Sequence, residues 1–154
     1  MGKYISISTL YCIAIIFLVA AGTGCGEKVK TVDHIVIRPV GNTLKFETEE
    51  FTVKAGSTVT AVMDNTATSP ALLHNVVMCS PNSNINELGL AAVKAGEETG
   101  YVPDDERVKF VVPMAKPGEK TEIKFVAPPP GDYPFFCSYP GHFGLMQGVM
   151  HSVE

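Results

Sequence analysis

Near the C-terminal end, the stretch "DYPFFCSYPGHFGLMQGVM" sets Cys137, His142 and Met146 in the pattern C-x4-H-x3-M. A thiol, an imidazole and a thioether so close together are three soft or borderline metal donors. Pro140-Gly141 lies between the first two and turns the chain sharply, which lets both side chains converge on one point. A closed site needs a further donor from elsewhere. His74, embedded far upstream in the β-type run "LLHNVVM", is the best candidate.

Two imidazoles, one thiolate and one thioether make a donor set that selects copper, and a His2Cys trigonal arrangement with a long axial Met suits one-electron exchange. Sulfur donors stabilise Cu(I), imidazole serves both oxidation states, and a weak axial contact avoids the square-planar geometry that Cu(II) prefers. Taken singly, each residue has an ordinary reading. A strand His is usually hydrogen-bonded structure, and a Cys after aromatic residues is usually a small buried hydrophobe. It is the joint pattern that carries the ligand reading. Met63, Met78, Met114 and Met150 read as core filling, His34 and His151 as structural or exposed residues without donor companions, and Cys79 as a lone buried thiol.

The elements that must hold these donors are strands. "HIVIRPV", "TLKFETEEFTV", "STVTAVMDN", "LLHNVVM", "RVKFVVP", "KTEIKFVAP", "YPFFCSY" and "MQGVMHSV" are rich in Val, Ile, Thr and Phe. Gly41-Asn42, Ala55-Gly56, Pro117-Gly118 and Pro128-Pro-Pro-Gly131 punctuate them. This predicts an all-β, Greek-key β-sandwich. One segment departs: "NSNINELGLAAVKAGEE", 82–98, has helix formers with Ile85, Leu88 and Val93 loosely periodic, and is expected to form a short helical flap between strands.

Ahead of the strands, Lys3 is followed by the apolar run "YISISTLYCIAIIFLVAAG", so 1–24 reads as a signal peptide or a membrane anchor. Thr23-Gly24-Cys25 also suits a lipoprotein processed and lipidated at Cys25, although Gly22 stands where such sites usually carry a branched aliphatic residue. Residues 25–33 read as a tether and 34–154 as the domain. The formal charge is −4, and loss of the leader removes one lysine and no acid. With no basic run, nucleic acid is not an expected partner. Cys79 and Cys137 alone do not make a disulfide framework.

"CSYPGHFGLMQG", together with "HN" at 74–75 and "YVPDDERV" in the middle, resembles the azurins and auracyanins of the cupredoxin family, over roughly residues 34–153. The resemblance implies His74, Cys137 and His142 as equatorial copper ligands and Met146 as the axial one. It implies a backbone carbonyl approaching from the opposite side, supplied here by Leu73 where azurins have Gly. Asn75 should tie the two ligand-bearing segments together, and the backbone N–H groups of Asn75 and Tyr139 should point at the Cys137 sulfur. The N-terminal disulfide of azurins is missing, because residues 26–78 hold no cysteine. Tyr133 resembles the tyrosine-corner residue of Greek-key sandwiches.

The function implied is that of a non-enzymatic, monomeric type 1 copper carrier. It would be exported to the periplasm or the outer face of the cytoplasmic membrane, and would shuttle electrons between redox proteins such as c-type cytochromes or respiratory or photosynthetic complexes. His142 would be the electron port, rimmed by Leu72, Pro140, Gly141, Phe143 and Gly144. The alternative is a copper-storage or delivery protein without redox turnover, which would be favoured by Met- or His-rich tracts that the sequence lacks. A copper oxidase or nitrite reductase would need more histidines, and a dinuclear site would need a second loop cysteine.

Overall fold

The computed structural model describes residues 29–154; the leader, Cys12 and Cys25 lie outside the described residues. In chain order the elements are β1 (His34–Ile37), β2 (Glu50–Lys54), β3 (Thr58–Asp64), β4 (His74–Cys79), α1 (Ile85–Ala95), a 3-10 turn (Glu97–Thr99), β5 (Val108–Ala115), β6 (Lys120–Val126), β7 (Gly131–Phe136) and β8 (Gln147–Val153). They form a three-stranded sheet, β1-β3-β6, and a five-stranded sheet, β2-β8-β7-β4-β5. β1 runs parallel to β3 and β2 to β8, while the remaining pairs are antiparallel. The result is the expected β-sandwich with one short helix.

Each of the eight apolar runs yields a strand, but "TLKFETEEFTV" is not continuous. Phe46 forms an isolated bridge with Pro39, and the Glu47 amide donates to the Arg38 carbonyl at 2.8 Å, so the chain doubles back before β2 begins. The driving force is burial: Phe46 is fully buried, its ring 5.6 Å from that of Phe135. Strand periodicity then places Val59, Ala61 and Met63 of β3 and Phe51 and Val53 of β2 in one core with Met150 and Phe135. Tyr133 donates its hydroxyl to the Pro129 carbonyl at 2.9 Å, locking the turn into β7. Ahead of β1, the Val32 amide donates to the Thr52 carbonyl, and the Asp33 carbonyl accepts from the Thr60 amide.

β4 is buried on both faces. Val76 and Met78 enter the main core, whereas Val77 and Cys79 join Leu88 and Phe136 beneath α1. Asn84 caps α1, its side-chain oxygen accepting from the Asn86 and Glu87 amides. The packed face is Leu88, Gly89 and Ala92, while Val93 points to solvent. Glycine at 89 follows from contact, because a Cβ there would overlap the ring of Phe143. Arg107 holds the helix to β5, donating to Glu87 on α1 and to Asp105, each at 2.9 Å. That pairing pulls the Asp105 carboxyl down to about 2.

Candidate metal centre

Two segments meet at one end of the sandwich. β4 supplies His74 at its first residue, where the pairing with β5 is irregular: His74 faces Ala115 but Val76 faces Val112, so Pro113 and Met114 together oppose Asn75. This β-bulge re-aims the start of β4. The loop leading into it is held by Asn65, fully buried, whose side-chain amide donates to the Leu72 carbonyl at 2.8 Å and the Ala115 carbonyl at 2.9 Å. Its side-chain oxygen accepts from the Ala67 amide. Asn65 thus fixes both strands around His74, a role that local sequence pattern does not announce.

The second segment begins where β7 ends. Cys137 donates its amide to the Met146 carbonyl at 3.0 Å, closing the loop on itself. Inside it, the His142 amide donates to the Tyr139 carbonyl, and the Leu145 and Met146 amides both donate to the His142 carbonyl. Gly141, at φ 84°, supplies the left-handed backbone that this turn requires. Met146 is thereby brought back beside Cys137, and its side chain is fully buried in the core cluster that also holds Cys137.

The three donors that this arrangement gathers are close. Nδ1 of His142 lies 3.5 Å and Nδ1 of His74 3.7 Å from Cys137 Sγ. All three ligand atoms fall within 4.8 Å of one another, and all three residues are buried. Among the described residues, no other group of three His, Cys, Asp or Glu donors has this spacing.

Burial sets the electrostatics. His74 is pushed down to about 4 by burial and by the neighbouring His142, and His142 is lowered by burial. Both imidazoles are therefore neutral at pH 7 and have a lone pair to offer. Burial pushes the Cys137 thiol up to about 11 against the backbone N–H groups of Asn75 and Tyr139, which donate to its sulfur and pull the other way. Two neutral imidazoles and a thiol, packed together without a counter-charge, fit a metal cation that would hold the sulfur as thiolate. Nε2 of His74 is buried without a hydrogen-bond partner.

Around the donors, Asn75 joins the two segments. Its side chain donates to Ser138 Oγ at 2.7 Å and accepts from the Ser138 amide at 2.8 Å. His142 is only 5% exposed, and the residues of its own loop that reach the surface are Pro140, Gly141, Gly144 and Leu145; Leu72, expected at the same rim, is half-buried ahead of β4. Leu145, 70% exposed, is the large apolar residue of this rim. Phe143, expected there, instead turns under α1 against the Leu88 cluster. Leu73 is partly buried and lines a cavity of about 330 Å³ with Tyr101, Met114 and Tyr139. Met114 is thus not core filling, unlike the fully buried Met63, Met78 and Met150. The bulge explains the difference, since it carries Met114 out of the inward register. His34 is exposed, and His151 pairs with Asp132 at 2.7 Å, away from the cluster.

Comparison with known proteins agrees with this site. The model of copper-binding proteins of the plastocyanin/azurin family matches residues 34–152. Auracyanin-A of Chloroflexus aurantiacus is 34% identical over 118 residues, covering 75% of this chain and 72% of the relative. An azurin of Methylobacillus flagellatus is 28% identical over 141 residues, covering 89% and 90%. The dithionite-reduced auracyanin of the photosynthetic bacterium Roseiflexus castenholzii superposes with a TM-score of 0.73 at 33% identity, covering 81% of this chain and all of that one. The chain belongs to the plastocyanin/azurin family of copper-binding proteins. Within that family it is a cupredoxin of the azurin/auracyanin type, a copper electron-transfer protein with a single type 1 site.

Proposed function

We propose that His74 Nδ1, Cys137 Sγ and His142 Nδ1, with Met146, would hold the copper, and that the chain carries single electrons between redox proteins. The observation that carries this reading is the convergence of both Nδ1 atoms on Cys137 Sγ in a buried site. Bound copper supplies the one-electron couple. The chain's own residues supply the rest: the amides of Asn75 and Tyr139 stabilise a thiolate at Cys137, and the Asn75–Ser138 bonds keep β4 and the loop in register. The loop's internal hydrogen bonds hold His142 and Met146 in place as charge changes. The Leu73 backbone carbonyl is proposed as a further ligand.

His142 then serves as the electron port, and its uncharged rim favours brief, small interfaces with partners. c-Type cytochromes and respiratory or photosynthetic complexes are the partners proposed; an auracyanin of a photosynthetic bacterium among the relatives supports the last of these. Export through the 1–24 leader, with 25–33 as tether, 34–154 as domain and Cys25 as lipidation site or mature N-terminus, is the topology proposed. Among the described residues no helix is long and apolar enough to cross a membrane.

The test is a titration of metal-free protein with Cu(II). An intense visible band should saturate at one copper per chain, bleach with one electron and return on reoxidation. Copper bound without that band, or released on reduction, would favour storage or delivery instead.

A further inference from the structure

Tyr101 has a backbone that bulky residues rarely adopt. Its φ is 57°, and Gly100 before it is at 65°, so two consecutive residues are left-handed. A glycine explains itself there, whereas a tyrosine does not. The conformation follows the 3-10 turn, with the Gly100 amide donating to the Glu97 carbonyl and the Tyr101 amide to the Gly96 carbonyl. It sets the Tyr101 ring edge-on to Tyr139, centroids 5.4 Å apart at 76°. Tyr139 in turn packs on the His142 ring at 4.9 Å. Three aromatic rings therefore run in contact from the donor cluster to a partly exposed tyrosine, each spacing within the usual range for aromatic pairs.

The outer end of this row differs from the rim of His142. Tyr101 and Tyr139 line the 330 Å³ cavity with Leu73, Met114, Glu97, Glu119 and Lys116, two carboxylates against one cation. The surface residues of the His142 loop, Pro140, Gly141, Gly144 and Leu145, carry no charge. Desolvation, Glu97 and Tyr139 raise the Tyr101 phenol, so it stays protonated and neutral at ordinary pH.

We propose that Tyr139 and Tyr101 form a second route between the copper site and the surface, opening at the acidic cavity and serving cationic one-electron reagents. The proposal rests on the ligand reading above. One electron leaves the reductant, which is oxidised by one unit, and reduces Cu(II) to Cu(I). No proton moves and no tyrosyl radical forms. The contacting rings shorten the gaps that the electron must cross, and Glu97 raises the local concentration of a cationic donor.

The test compares Tyr101→Phe, which keeps the ring, with Tyr101→Asn, which removes it while tolerating left-handed backbone. In metal-free protein, Tyr101→Phe should preserve the ring-current shift of the Tyr139 ring protons and Tyr101→Asn should abolish it. In copper-loaded protein, Tyr101→Asn should slow reduction by hexaammineruthenium(II) several-fold and leave reduction by the anionic iron(II)–EDTA complex, electron self-exchange and the visible band unchanged. Tyr101→Phe should behave as wild type throughout. An unchanged ruthenium rate in Tyr101→Asn, or an equal slowing with both reagents, would overturn the second route while leaving the ligand reading intact. So would a shifted band or potential, since Tyr101 would then act by shaping the site. Absence of the band from the wild type would overturn the ligand reading, and this route with it.

Discussion

Cys137 and Cys79 are both fully buried, free thiols, yet they lie in regions of opposite character. Cys137 sits among two imidazoles and receives the N–H groups of Asn75 and Tyr139. Cys79 sits beneath α1 among Val77, Leu88 and Phe136, and its thiol meets only the Val77 carbonyl, at 4.0 Å. Burial pushes the Cys79 thiol up to about 12, with Asp105 adding to the effect and only the Arg107 charge opposing it. Burial alone does not distinguish a ligand from a core residue. The difference lies in oriented amides and neutral imidazoles, which the start of β4 and the loop together bring to Cys137 and which are missing beneath α1.

The comparison can be broken at the link between β4 and the loop. Asn75→Ala would remove both bonds to Ser138 and strand two buried polar groups, each worth about 1–3 kcal/mol, so metal-free protein should lose roughly 2–6 kcal/mol in urea unfolding. Acid should act next, and at the same end. His74 sits at about 4 when folded and near its ordinary 6.5 when unfolded. Between those values the unfolded chain binds more protons, so stability is fully present above about pH 6.5 and is lost as pH falls toward 4. The metal-free protein should lose at most about 3 kcal/mol across that window, with His142 adding in the same direction. A flat unfolding profile from pH 7 to pH 4 would mean that the imidazoles take up protons equally in the folded and the unfolded chain.

The Cys79 side sharpens the contrast from the other direction. Cys79→Ala leaves a small cavity under α1 and should cost on the order of 1 kcal/mol, with copper binding and colour unchanged. A change of colour would make that thiol part of the site. The smallest stability effect belongs to the proposed port: Gly144→Glu adds a charge at an exposed position where no neighbour lies within 4 Å of a new Cβ. It should leave the melting temperature and spectrum as they are, and slow self-exchange measured by NMR line broadening, because the charge must be desolvated when two copies meet.

What could be read from sequence follows the same division. Cys137, His142 and Met146 are close in the chain and chemically distinctive, so their types and spacing mark them as candidate donors, and the β-branched runs mark the strands because a half-buried strand repeats every second residue. Asn65, Leu145 and Tyr101 act through partners that folding brings near. An asparagine after a strand, a leucine before a methionine and a tyrosine after a glycine have many ordinary explanations. Val93 was expected to share the helix's apolar period, but Ala92 takes the packed position because the close approach of Phe143 at Gly89 sets which face of α1 turns inward.

Cys137, and not Cys79, is assigned as the sulfur that would bind copper. Cys137→Ser and Cys79→Ser should be titrated with Cu(II) alongside the wild type and their visible spectra compared. On that assignment Cys79→Ser keeps the full intense band at one copper per chain while Cys137→Ser shows none, because a hydroxyl cannot act as the soft charge-transfer donor. A Cys137→Ser protein that retains the band would contradict it.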